Sequence, residues 1–156
     1  MNIAANPHLD LSIRHTFNAT PERLFRAWTE PGELVKWFGP EGVVTEVAEV
    51  DLCIGGAYRM VMRTPAGDVV VHHGVYREIQ PNQKLVFTWI LDGQHCEGSE
   101  DENCETVVTI YFNEREGATE LVIIHDFLPT QKARDNHEFG WNGCLECLGL
   151  LLAQES

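Results

Sequence analysis

Basic residues are scarce in this 156-residue sequence. Lys and Arg together number 11 against 24 Asp and Glu, which gives a formal net charge of −13 at pH 7. Nucleic-acid phosphates are bound by clustered Lys and Arg, and anionic membrane surfaces are bound by basic patches. The charge balance therefore argues against nucleic acid and against a membrane surface as partners, and it favours solubility.

Long hydrophobic runs are also missing. The start of the sequence, MNIAANPHLDLSIRH, has neither the basic beginning nor the apolar centre of a secretory signal. The late apolar run LGLLLA at 148–153 is far shorter than the ~20 residues that a membrane-spanning helix requires. We expect no membrane insertion and a cytoplasmic location.

Cysteine occurs in an odd number. Five Cys in a chain of this length indicate reduced thiols in a cytoplasm rather than a disulfide framework. Cys144 and Cys147 form a C-x-x-C, but it falls inside a predicted helix, whereas redox pairs lie at a helix start, where the dipole lowers the thiol pKa. We expect both to be small apolar fillers.

Recognisable catalytic and metal-binding motifs are absent from the sequence. It contains no nucleophile elbow, no phosphate-binding glycine loop, no H-E-x-x-H and no pair of inward carboxylates. The acidic segment at 92–105 holds His95, Cys96 and Cys104, but their spacing matches no recognised zinc pattern. We expect a surface loop there, no metal and no cofactor.

Period-two segments dominate what the sequence does contain. The segment 8–17 alternates apolar and polar residues, as a half-buried strand does. Six more such segments follow, separated by turn residues, and consecutive strands with short links predict an antiparallel meander. Their ranges are 43–52, 57–64, 69–79, 84–91, 106–114 and 119–127.

Helical patterns occupy two places. Between the first two strands, Thr20 is a candidate helix cap with Pro21 at the first helical position. Pro31 indicates the start of a second short helix in the same way. From Lys132 to Ala153, apolar residues at Phe139 or Trp141 and at later turns form one stripe. The sequence therefore predicts a single α+β domain over 1–156, with its core at about 9–153. A curved seven-stranded antiparallel sheet would surround a long C-terminal helix.

Such a sheet has one face to cover, and a single helix covers only a stripe of it. Alternation places aromatic residues, methionines and a few polar tips on this inner face. For Glu78, near a strand end, the sequence leaves open both this face and exposure to solvent. This mixture suits an apolar pocket with orienting groups, and it equally suits a packed core. The residues that would line a cavity are Trp28, Trp37, Phe38, Tyr58, Met60, Met62, His72, Tyr76, Phe87, Trp89, Ile110, Phe112, Ile123, His125, His137, Trp141 and Leu145.

Two histidines are the main candidates for chemistry. His125 ends an inward strand face, and His137 lies one helical turn before Trp141. If both reach a cavity, they can bind the polar end of a ligand or act as acid and base near neutral pH. The alternative is that each is a hydrogen-bonded core residue. His72 and His73 fall on opposite faces of a strand and cannot jointly bind a metal.

Five phrases in order carry a family resemblance: NATPERLFRAWTEPGELVKWFGPEG, GGAYRMVMRTPAGD, HHGVYREIQPNQKLVFTW, TELVIIHDF and NHEFGWNGCLECLGLLLA. From about Leu9 to Ala153 the sequence resembles the activator of heat-shock protein 90 ATPase homologue family. That family lies within the SRPBCC, or StAR-related lipid-transfer, superfamily. The resemblance implies the helix-grip fold, with a groove between sheet and C-terminal helix that relatives use for lipids, sterols, polyketides or other apolar molecules.

The resemblance supplies no reaction, because members range from cyclases to transport and chaperone-linked proteins. We expect first a soluble binding protein for a small apolar or aromatic ligand, lipids included. A second reading is a cyclase- or hydrolase-like enzyme using His125, His137 or Tyr76. A third is a stress-response module that binds a chaperone through its acidic surface. A monomer or weak homodimer is expected in each case.

Overall fold

A computed structural model of the chain describes residues 9–91 and 105–155. These residues form seven strands and three helices, which confirms the predicted α+β class and the two short helices between the first two strands. The order is β1 (Leu9–Phe17), α1 (Pro21–Thr29), α2 (Pro31–Trp37), β2 (Val44–Val50), β3 (Ala57–Arg63), β4 (Val69–Gln80), β5 (Lys84–Leu91), β6 (Glu105–Arg115), β7 (Ala118–Leu128) and α3 (Gln131–Ala153).

The strands form an antiparallel sheet in the order β1-β7-β6-β5-β4-β3-β2. Strands β2 to β7 are the predicted meander. β1 adds to the far side by pairing with β7, from Leu9 opposite Leu128 to Phe17 opposite Thr119. Because β1 and β2 lie at opposite edges, the chain that holds α1 and α2 crosses the full width of the sheet.

The two short helices begin as the sequence predicts. Thr20 caps α1, and its hydroxyl accepts a hydrogen bond from the backbone N–H of Arg23 at 3.1 Å. Pro21 and Pro31 open the two helices, where a missing N–H costs nothing. The indole N–H of Trp37 then donates to the carbonyl oxygen of Ala27 at 2.9 Å, which joins α2 to α1.

The long helix α3 has 23 residues and is about 35 Å long. Its buried stripe includes Trp141, Leu145, Leu148 and Leu152. Phe139, the alternative to Trp141 in that stripe, is 79% exposed, because only Trp141 keeps the spacing of four and three residues to the next members. Among the helices described, none is both long and apolar enough to cross a membrane.

The inward faces of the strands are the ones that alternation predicts, and their side chains are buried. Together with the apolar stripe of α3 they form the core. The inward residues are Tyr58, Met60, Met62, His72, Tyr76, Leu85, Phe87, Trp89, Val108, Ile110, Phe112, Leu121, Ile123 and His125.

A bulge in β4 decides between the two positions that the sequence leaves open for Glu78. Tyr76 pairs with Phe87 of β5. Two residues further along β4, Glu78 pairs with Val86, which is only one residue further along β5. The extra residue turns the following side chains to the other face. Glu78 therefore lies outside, with its side chain 39% exposed, and Ile79 packs against the core instead.

Gly74 of β4 leaves space for a hydrogen bond between two strands that are not neighbours. A Cβ at Gly74 would lie 2.1 Å from the carbonyl oxygen of Thr88 on β5. The hydroxyl of Tyr58, on β3, donates to this same oxygen at 2.6 Å. Both residues are almost fully buried, so this bond connects β3 to β5 away from water.

Replacing Tyr58 by Phe should destabilise the protein by about 1–3 kcal/mol, because the buried carbonyl of Thr88 would lose this donor. The free energy of unfolding from urea titration measures the loss. Tyr111→Phe is the matched control, since Tyr111 is only half-buried, and it should change stability by less than about 0.5 kcal/mol. Equal losses in the two variants would contradict the importance of the Tyr58 bond.

Candidate functional site

An apolar pocket of about 190 Å³ lies between α3 and the sheet, and we call it the outer pocket. Helix α3 supplies one face of it, the strands β3, β4 and β5 supply the opposite wall, and the segment after α2 closes one side. The lining residues are Phe38, Pro40, Met62, His72, Trp89, Leu91, Asn136, His137, Gly140, Trp141 and Cys144. As bounded by the described residues, the pocket is partly open, and its accessible lining is almost entirely apolar.

A second void, the inner hollow, lies deeper and measures only about 20 Å³, enough for about one water molecule. Its lining is Trp28, Leu34, Phe38, Val50, Tyr58, Met60, Tyr76, Phe87 and Trp89. Phe38 and Trp89 line both spaces, and their ring centroids are 6.1 Å apart. These two rings therefore separate the outer pocket from the inner hollow.

Gly140 is one reason why the outer pocket stays unfilled. It lies on the face of α3 that lines the pocket, and a Cβ built on it would meet no atom within 4 Å. One residue further, Trp141 packs against Trp89 with ring centroids 5.0 Å apart. The large ring holds the helix against the sheet, while the missing side chain beside it leaves space.

Three lining residues, Trp89, His137 and Trp141, form the histidine–tryptophan cluster together with His125, which lies behind them. His125 is fully buried, and its Nδ1 accepts a hydrogen bond from the indole N–H of Trp141 at 3.0 Å. The hydroxyl of Thr106 donates its proton to the Trp89 carbonyl at 2.9 Å, so its oxygen accepts from Nε2–H of His125 at 2.7 Å. His125 is thus a neutral imidazole with both nitrogens hydrogen-bonded.

His137 is held in the other tautomer. Its Nδ1 lies 2.7 Å from the carbonyl oxygen of Ala133, which can only accept, so Nδ1 carries the proton. Its Nε2 accepts from the indole N–H of Trp89 at 3.3 Å. The rings of His137 and His125 meet edge to face, with centroids 4.9 Å apart.

Burial lowers the pKa of both imidazoles. Desolvation holds the pKa of His125 well below 6.5, and the neighbouring His137 and His72 lower it further. Desolvation also lowers the pKa of His137, and its hydrogen bond to Ala133 partly opposes this. Both rings are therefore neutral at pH 7, which agrees with the hydrogen bonds that they make.

The structure divides the cavity residues proposed from the sequence into three groups. The outer pocket is lined by Phe38, Met62, His72, Trp89, His137 and Trp141. The inner hollow is lined by Trp28, Tyr58, Met60, Tyr76 and Phe87, again with Phe38 and Trp89. Neither space is lined by Trp37, Ile110, Phe112, Ile123, His125 or Leu145, which lie in the surrounding core.

Five residues that line the outer pocket were not proposed from the sequence. Leu91 continues the alternation of β5, and Gly140 and Cys144 follow His137 by one and two helical turns, so periodicity indicates these three. Pro40 and Asn136 carry no such signal. Their position depends on how the segment after α2 and the start of α3 approach the sheet.

Thiols and imidazoles form no further site in the part of the chain that the structure describes. Within it, no three His, Cys, Asp or Glu side chains are grouped so as to hold a metal ion. Cys144 and Cys147 lie inside α3, and burial raises the pKa of Cys144 to about 12, which disfavours a reactive thiolate. His95, Cys96 and Cys104 lie outside the described residues.

The histidine–tryptophan cluster should make stability pH-dependent. Unfolded His binds a proton near pH 6.5, whereas folded His125 and His137 bind one only at lower pH. The cluster's contribution is therefore complete above pH 6.5 and is lost as the pH falls below it. We expect the free energy of unfolding of His125→Gln, measured in urea, to fall less steeply below pH 6.5 than that of the unsubstituted protein.

His15→Gln removes an exposed imidazole from β1, outside the cluster, and serves as the matched control. An acid decline that is equally steep with and without His125 would contradict the role of the buried cluster.

Comparisons with known proteins place this geometry in a family. The sequence matches the family model described as Activator of Hsp90 ATPase homolog 1-like protein over residues 18–153. No curated protein matches it. Protein CV1439 from Chromobacterium violaceum has a similar solved structure, with 29% sequence identity and a TM-score of 0.80, covering 91% of this chain and 95% of that one.

Two further solved structures extend the comparison. The AHSA1 protein from Silicibacter pomeroyi is 28% identical, with a TM-score of 0.81 over 95% of this chain and all of that one. CalU16 from Micromonospora echinospora, at 20% identity and a TM-score of 0.70 over 94% of this chain and 77% of its own, shares the fold. The family match covers most of the sequence and confirms the resemblance carried by the five phrases. The chain thus belongs to the Activator of Hsp90 ATPase homolog 1-like family, and its fold is consistent with the SRPBCC superfamily.

Proposed function

We propose that this protein binds a small, largely apolar or aromatic molecule in the outer pocket, as a cytoplasmic binding protein. The observation that carries the proposal is the apolar space of about 190 Å³ that remains between α3 and the sheet beside Trp89 and Trp141. Ligand sites are typically concave and apolar with a few polar groups, and this pocket has that character.

The volume sets the size of the ligand. An apolar cavity of about 150 Å³ holds benzene. A pocket of about 190 Å³ therefore suits one substituted aromatic ring or a ring system of similar size. The inner hollow, at about 20 Å³, admits no ligand unless Phe38 or Trp89 moves. A sterol or a long lipid would need that movement.

The fold supports binding, because proteins of this family and superfamily commonly hold ligands between sheet and helix. The names of these similar proteins indicate no ligand. The proposal therefore rests on the pocket of this chain rather than on what a relative does.

The side chains favour binding over catalysis at this site. His125 lies outside the pocket, and both its ring nitrogens are engaged. His137 lines the pocket, but its ring nitrogens are hydrogen-bonded to Trp89 and Ala133. Tyr76 lines only the inner hollow, and burial raises the pKa of its hydroxyl. A general acid or base needs a nitrogen or oxygen that the substrate can reach and whose pKa lies near the working pH. These groups do not offer one.

Filling the pocket from Gly140 tests the proposal. In the unsubstituted protein, para-cresol should raise the melting temperature, because it binds only the folded state. Gly140→Leu should abolish that rise, since its side chain would occupy the empty space beside the helix. The variant should fold at least as well, because Gly in a helix interior costs about 1 kcal/mol.

Gly140→Ala is the matched control. It gains the same helical preference but adds only a methyl group, so it should keep most of the ligand-induced rise. A Leu variant that responds to para-cresol as fully as the unsubstituted protein would contradict binding in the outer pocket. An unsubstituted protein whose melting temperature no single-ring arene changes would contradict the function itself.

A ligand from the cell should travel with the protein. Native mass spectrometry of the protein purified from its own host should show an added mass that disappears in organic solvent. The same preparation of Gly140→Leu should lack that mass. An identical added mass in both preparations would place the bound molecule elsewhere.

A further inference from the structure

We infer that the outer pocket selects uncharged ligands: it takes an aromatic ring with one neutral polar substituent, and it discriminates against carboxylate and ammonium forms of the same compound. The inference rests on the proposed function, because it specifies the chemistry of the same pocket. It also assigns a role in specificity to Asn136, at the exposed side of the pocket.

The described walls of the two spaces carry no counter-charge for an ionised ligand. Among the described residues, neither the outer pocket nor the inner hollow is lined by Lys, Arg, Asp or Glu. An ionised group that enters such a space loses its hydration and gains no ion pair in return, which is costly. A neutral hydroxyl or carbonyl group pays far less.

The titratable side chains of the pocket do not replace the missing charge. His137 uses Nδ1–H for Ala133 and the Nε2 lone pair for Trp89, so protonation would break the bond to Trp89. Cys144 is buried and lies inside α3, where it stays a neutral thiol. His72, the third titratable side chain of the lining, is buried and lies against Trp89 with ring centroids 4.3 Å apart, so a charge on it would be desolvated too. A carboxylate ligand therefore meets no exposed cation in the described lining.

Asn136 is the neutral polar group best placed for a ligand's substituent. It lines the pocket and is itself exposed, so a substituent near it keeps part of its hydration. Its amide offers both a donor and an acceptor, which suits a hydroxyl group. The ring would then lie deeper, against Trp89 and Trp141, with the substituent directed towards Asn136.

The overall charge of the protein favours a different selectivity, for cations. Experiment can distinguish it from selectivity for uncharged ligands. A net charge of −13 repels anions and attracts cations at long range. Aromatic walls also attract cations through their ring faces. If these forces decided the outcome, an ammonium ligand would bind best. Desolvation instead disfavours both ions. Added salt weakens the long-range attraction but changes the cost of desolvation much less.

Three probes of equal size separate these accounts: para-trifluoromethylbenzyl alcohol, para-trifluoromethylbenzoate and para-trifluoromethylbenzylammonium. Their dissociation constants are measured by fluorine NMR on the full chain, at neutral pH and at low and high ionic strength. We expect the alcohol to bind at least about tenfold more tightly than either ion at both ionic strengths.

A designed charge tests the role of Asn136. Asn136→Lys should raise the affinity for the benzoate relative to the alcohol by about two- to fivefold, the gain typical of an exposed ion pair. Phe139→Lys adds the same charge to an exposed position of α3 outside the pocket. It should leave the affinity of the benzoate unchanged at high ionic strength.

Each outcome decides the matter. Tighter binding of either ion than of the alcohol, or equal binding of all three, would overturn the selectivity while leaving the proposed function intact. Equal gains for the benzoate in the two Lys variants would overturn the role of Asn136. Failure of all three probes, with Gly140→Leu and the unsubstituted protein alike, would overturn the proposed function as well.

Discussion

Contact among three aromatic rings decides how closely the C-terminal helix approaches the sheet. Phe38 lies 6.1 Å from Trp89 and 6.0 Å from Trp141 between ring centroids, and the two indoles are 5.0 Å apart. Rings of this size keep α3 away from the sheet on one side, where Gly140 adds nothing to fill the gap. On the other side, Phe38 and Trp89 close the deeper space almost completely. The size and position of the outer pocket follow from this contact.

The imidazole nitrogens beside the pocket form hydrogen bonds within the protein. The hydrogen bonds of the histidine–tryptophan cluster run from ring to ring and to the backbone, so the imidazole nitrogens of His125 and His137 are all engaged inside the protein. Neutral rings in a buried network also explain how aromatic and polar residues share one core without an unpaired charge. This arrangement is one reason why we propose a binding protein rather than an enzyme.

Much of the fold could be predicted from the sequence, because alternation and helical spacing are local signals. The strands of the meander, the cap at Thr20, the proline that opens α2 and the inward faces all follow from neighbours in the chain. The pairing of β1 with β7 brings together residues about a hundred positions apart, and no local sequence pattern predicts it. The bulge that turns Glu78 outward is likewise invisible to simple alternation. The division into outer pocket and inner hollow depends on the placement of Phe38 and Trp89, which residue types alone do not determine.

The central claim is that an apolar space beside Trp89 and Trp141 accepts a guest. A crystal soaked with para-bromobenzyl alcohol tests it most directly, because bromine gives an anomalous signal that identifies its own position. The account predicts one peak inside the outer pocket, between Trp89, Trp141 and Met62, with Phe38 still closing the inner hollow. A structure in which these side chains interdigitate and leave no space, with bromine absent from the pocket, would contradict it.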